Sequence, residues 1–125
     1  MRLDRIYFHQ PQPITPLYQL AQRRWNAWCP CCGVRMTDRR VKKGRAEPPQ
    51  QLSRGHDAPV GRGGATDVWL YICRRCNNEQ GVLDFAQWAR KLLLDEDPRA
   101  ERVVEVAKFV RAWVAERDEK RRQTA

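Results

Sequence analysis

The chain has 125 residues, 42% hydrophobic and 31% charged. That globular balance excludes a disordered tail and predicts one domain. No apolar run approaches the roughly 18 residues a membrane span needs. The opening MRLDRIYFHQPQPITP lacks the apolar stretch of a secretory signal, which points to an intracellular, cytoplasmic protein.

In chain order, residues 1–14 read as extended, with Pro11 and Pro13 breaking any periodicity. Thr15-Pro16 predicts a helix start, Thr15 as cap and Pro16 as first helical residue. Leu17, Leu20, Ala21 and Trp25 then share a face. Residues 37–66 are rich in Arg, Lys, Gly and Pro, and a stretch this long is functional or disordered in most compact domains. Residues 68–72, VWLYI, predict a buried strand running into Cys73. The last forty residues predict two helices. Phe85, Trp88, Ala89, Leu92 and Leu93 form the apolar face of the first. Asp97-Pro98 restarts the chain as cap and first helical residue, and Val103, Val106, Ala107, Val110, Trp113 and Val114 continue the period until the helix fades into ERDEKRRQTA. The expected fold class is α+β.

There are 24 Lys+Arg against 15 Asp+Glu, a net charge of +9. Residues 1–28 hold four basic and one acidic residue, residues 29–83 ten and five, and residues 84–125 ten and nine. The excess therefore precedes the C-terminal helices, which fits a polyanionic partner such as nucleic acid, although solubility alone accounts for many basic proteins.

Five cysteines occur, Cys29, Cys31, Cys32, Cys73 and Cys76. In a reducing compartment Cys29-x-x-Cys32 and Cys73-x-x-Cys76 are two halves of a tetrahedral thiolate shell, and soft sulfur ligands select zinc. Cys31 has poorer spacing and is expected to stand aside. Zinc binding by finger peptides contributes roughly 10–16 kcal/mol, comparable to a whole domain's stability of about 5–15 kcal/mol. The ion is thus expected to be structural.

Between the two pairs lies SRGHDAPVGRGGATDVWLYICRRCNNEQG. His56-x-x-Pro59, the Gly63-Gly64 turn, Cys73-x-x-Cys76-Asn77 and the later Gly81 resemble, in order and spacing, the zinc-bearing branch of the HNH endonucleases, the ββα-metal nucleases. The resemblance covers residues 29–83. It implies a zinc-stapled ββα core over 29–83; the helix signals read above add an N-terminal segment (1–28) with a short helix and a C-terminal helical pair (84–125). It also implies hydrolysis of DNA phosphodiesters, with His56 as the general base that activates water and Asn77 as a ligand of a catalytic divalent ion. Magnesium or manganese suits such oxygen and nitrogen ligands, and nickel or zinc is also compatible. Cys29, Cys32, Cys73 and Cys76 would hold structural zinc. Small stand-alone proteins of this family are common in bacteria and their phages.

Two positions depart from the family pattern. The acidic residue that usually precedes the histidine is Gly55 here, and Asp57, two residues on and on the same strand face, is the expected substitute ion ligand. The family's central Asn is Val68, with Asp67 or Thr66 the nearest polar residues to tie the hairpin together. Arg54, Arg62, Arg74 and Arg75 flank the motif, either as surface charge or as contacts that position a duplex by its phosphates. Asn77 also suits a helix cap near residue 78. The alternative function is a zinc-ribbon nucleic-acid-binding module without catalysis, and an adaptor using residues 98–121 is a third.

Overall fold

A computed structural model describes residues 13–39, 41–57 and 67–124. The elements are α1 (Leu17–Trp25), β1 (Leu52–His56), β2 (Trp69–Cys73), α2 (Arg74–Gln80), α3 (Phe85–Leu94) and α4 (Ala100–Thr124). Among the described residues the architecture is α+β, one two-stranded antiparallel hairpin with four helices.

The VWLYI strand is present, shifted one residue to Trp69–Cys73. It pairs with β1 from Leu52↔Cys73 to His56↔Trp69. Alternation then sorts the side chains. Ser53, Gly55, Leu70 and Ile72 share one face, and Leu70 and Ile72 are fully buried in the core. Arg54, His56, Trp69 and Tyr71 share the other. Helix α1 lies over that second face, with Tyr18 stacked on Trp69 at 4.4 Å and edge-on to Tyr71 at 6.3 Å.

Gly55 leaves space that a side chain of the paired strand fills. A Cβ there would stand 2.5 Å from Ile72 Cδ1 and 3.4 Å from Phe85 Cζ. The missing side chain makes room for Ile72 of β2, with the Phe85 ring in ordinary contact beside it.

Helices α3 and α4 pack through the predicted stripe: Phe85, Trp88, Ala89 and Leu92 from one, Val103, Val106, Val110 and Trp113 from the other, all buried. Leu93 departs from the prediction and is 53% exposed. Asp84 opens α3 with a capping box, accepting from Gln87 N at 2.7 Å while Gln87 Oε1 accepts from Asp84 N at 3.1 Å.

Three helix boundaries differ from the sequence reading. Helix α1 starts at Leu17, because Pro16 is extended (φ −53°, ψ 142°) and forms the cap without a side-chain bond, so Thr15 is not the cap. Helix α4 starts at Ala100, with Pro98 and Arg99 in a turn, although Asp97 Oδ1 does accept from Arg99 N at 2.8 Å. Finally, α4 does not fade after residue 115. Pairs such as Glu116–Lys120 at 3.7 Å and Glu119–Arg122 carry it to Thr124. Among the described residues, no helix is long and apolar enough to cross a membrane.

Candidate metal centre and adjoining strand edge

The chain reverses tightly at the first cysteine pair. Cys29 N donates to Val34 O at 2.7 Å, Gly33 N donates to Cys29 O at 2.8 Å, and Trp28 bridges to Arg35. Gly33 adopts φ +80°, a conformation that favours glycine, with the Arg102 guanidinium packed against it. The second pair sits where β2 turns into α2. Cys73 is the helix cap, its sulfur accepting from Cys76 N at 3.5 Å.

The four sulfurs of Cys29, Cys32, Cys73 and Cys76 lie within 4.8 Å of one another. Cys32 and Cys73 stand 3.7 Å apart, close to the sulfur–sulfur edge of about 3.8 Å in a tetrahedron with zinc–sulfur bonds of about 2.3 Å. The donor set and spacing fit a structural zinc ion. Cys73 N donates to Cys29 Sγ at 3.4 Å and Arg99 Nη1 to Cys76 Sγ at 3.7 Å, contacts that suit thiolate ligands. As bare thiols Cys29, Cys73 and Cys76 compete for ionisation. Hydrogen bonds from Cys31, Cys73 and Cys76 hold Cys29 far below the ordinary thiol range. Cys73, bonded to that same Cys29, is pushed up to about 12, and Cys76 is raised for the same reason. A cation at the centre removes this competition. Cys31 stays outside the set, buried, with its thiol pushed up by its bond to Cys29 and by burial.

Immediately beside the cluster, α2 runs along the free edge of β1. Asp57 N bonds Val68 O at 2.9 Å, so Ser53 and Gly55 face β2 and the carbonyls of Arg54 and His56 point to the open edge. Side-chain amides from one face of α2 meet both. Asn77 Nδ2 donates to Arg54 O at 3.3 Å, and Gln80 Nε2 donates to His56 O at 3.0 Å and to Leu83 O at 3.0 Å. Asn77 is therefore not the helix cap, a place Cys73 takes. Because its nitrogen is the donor to Arg54 O, its acceptor oxygen is turned elsewhere.

His56 and Asn77 are thus brought to one short stretch of β1. Asp57 follows His56, but its Oδ1 accepts from Phe85 N at 3.2 Å, where α3 begins, and it lines a 440 Å³ groove with Asp84, Arg111 and Asp118. Burial raises its pKa. Asp67 does not tie the hairpin together. It reaches across to α4, 3.2 Å from Arg117 and 3.5 Å from Arg121. Val68 is buried where the family has Asn. Of the flanking arginines, Arg54 lies over the Trp69 ring at 4.7 Å, Arg74 pairs with Glu47, and Arg75 meets Glu79 at 3.5 Å. Pro59, Arg62, Gly63, Gly64 and Thr66 lie outside the described residues.

Two residues of this region escaped the sequence reading. Gln80 is 2% exposed and holds the strand edge; its i+3 spacing from Asn77 was the available signal. Arg99 bonds Cys76 Sγ, Glu79 and both Asp97 oxygens, joining the cysteine cluster to the start of α4. Compared with family models, curated proteins and solved structures, the chain gives no match.

Proposed function

We propose that this protein is a metal-dependent DNA endonuclease of HNH type, hydrolysing phosphodiester bonds. The observation that carries the reading is the pinning of α2 against β1. The cysteine cluster fixes one end of α2, and Asn77 and Gln80 hold its flank to the carbonyls of Arg54 and His56. That frame supports an imidazole and an amide oxygen held in fixed relation, as a hydrolytic site requires.

In this proposal His56 accepts the proton of the attacking water as its oxygen bonds to phosphorus, and the phosphorus–oxygen bond to the leaving strand breaks. The Asn77 oxygen would be offered to a magnesium or manganese ion, and Asp57 would join it only by giving up Phe85 N, since its side chain leaves β1 on the face opposite His56. When bound, such an ion neutralises charge on the phosphate and the leaving oxygen. Arg54, Arg74 and Arg75 position the backbone.

A second reading has its own support. The space of the family's carboxylate is occupied at Gly55 by Ile72, and Asp57 already spends one oxygen on α3. Both favour a zinc module that binds nucleic acid without cutting it.

A plasmid-nicking assay with added magnesium, manganese, nickel or zinc separates the two. The nuclease nicks only with a divalent ion. His56→Ala abolishes nicking while DNA binding persists, and Asp57→Asn lowers it at least about tenfold. Binding that weakens steeply with salt, without cutting under any ion, establishes the second reading. Absence of both binding and cutting removes both.

A further inference from the structure

We infer that the cleft between α1 and the first cysteine turn binds a single unpaired nucleobase, with guanine preferred. This rests on the nucleic-acid reading above and adds a recognition site to it.

The cleft has a volume of 310 Å³ and is walled by Trp25, Trp28 and Tyr71, with Asn26 and Asp38 among its polar residues. That volume lies at the small end of ligand sites, which run from about 300 to 1,000 Å³, so it suits one flat ring system and not a large cofactor. Its construction is deliberate in the chain. Trp28 N donates to Trp25 O at 2.9 Å, and Asn26 adopts φ 52°, a left-handed conformation that bends the chain and sets two indoles on either side of a tight turn. Trp28 is nevertheless 49% exposed, and with Arg35 near its ring at 5.9 Å it still leaves aromatic surface open for stacking.

Charge narrows the ligand. An aromatic box with a carboxylate suits a cation in principle, but Arg24 lies 4.7 Å from the Trp25 centroid and Arg35 5.9 Å from that of Trp28. Arg24 is paired with Glu105 at 3.7 Å, so Arg35 is the guanidinium that disfavours a cationic guest and favours an aromatic one carrying a phosphate. A carboxylate only accepts hydrogen bonds, and guanine offers two adjacent N–H donors on one edge. Asp38 is the residue in the cleft that reads that edge.

Isothermal titration calorimetry of the intact zinc-loaded protein with guanosine monophosphate tests this, with adenosine, cytidine and uridine monophosphates as parallel arms and no added divalent ion. The expected result is saturable binding with guanosine monophosphate about tenfold tighter than the others. Trp28→Ala weakens it about tenfold through lost stacking, with circular dichroism and zinc content unchanged. Asp38→Asn lowers guanosine monophosphate to the level of the other three. No saturable binding, or binding indifferent to Trp28→Ala, overturns the site. Equal affinity for all four nucleotides overturns the guanine preference. His56→Ala must leave nucleotide binding intact. Retained nucleotide binding without plasmid nicking defeats the nuclease proposal alone, and nicking without nucleotide binding defeats this one alone.

Discussion

The hairpin region and the C-terminal helical pair are held by different physics. Around β1 and β2, four sulfurs converge and side-chain amides close the strand edge. Between α3 and α4, burial of Phe85, Trp88, Val103 and Val110 suffices. Two short strands alone are marginal in water, so the first region needs localised directional bonds. The second can distribute its stability over many apolar contacts. A consequence is that the first region fails by losing one component, whereas the second loses stability by degrees.

The largest expected effect tests whether the two regions are separable. They share one continuous apolar core, Ile72 and Phe85 among its members. Removing the ion with a strong chelator withdraws about 10–16 kcal/mol. We expect both regions to unfold in one cooperative transition, with far-ultraviolet helical signal and the tryptophan environment lost together. A helical pair that survives chelation would show two independent units.

Within the second region, Trp88→Ala is expected to cost about 3–5 kcal/mol, read as a lowered denaturant midpoint with zinc content unchanged. Within the first, Gln80→Leu preserves bulk but strands the His56 and Leu83 carbonyls, and is expected to cost about 1–3 kcal/mol. If instead Gln80→Leu is neutral, the strand edge is not held by that amide. If Trp88→Ala releases zinc, the distinction between the regions fails.

The same contrast governs what could be read from the sequence. Periodicity marks which residues a helix buries, so the α3 and α4 stripes were legible, apart from Leu93 at the end of α3. Residue identity and spacing mark metal ligands, so Cys29, Cys32, Cys73 and Cys76 were legible and Cys31 was correctly set aside from them. Asn77 was marked by its place after Cys76, but its bond to Arg54 O was not, because a strand's open edge depends on register and register is a long-range property. The role of Gln80 was hidden for that reason. Gly55 read as a missing carboxylate, and only packing reveals that Ile72 occupies the space. Arg99 was invisible because Cys76 and Glu79 lie in α2, twenty or more residues before it.

The smallest effect sharpens the junction between the regions. Arg99 bonds the Asp97 carboxylate through its guanidinium and its own N–H, and this holds Asp97 at about 2, against an ordinary 3.8. A carboxylate whose folded pKa is depressed stabilises the fold above its unfolded pKa, and that contribution is lost as pH falls through the folded value. The window therefore runs from about pH 4 down to about 2. Asp97→Asn keeps an acceptor at the start of α4 but removes the charge, and should cost about 1 kcal/mol or less, since the pair is partly exposed to water. Measured on zinc-loaded protein, the gap in denaturant midpoint between wild type and Asp97→Asn should stay constant from pH 8 to pH 5, above the whole titration. A gap that changes within that range would mean that another ionising group, and not Asp97, sets the pH response where Arg99 joins Cys76 to α4.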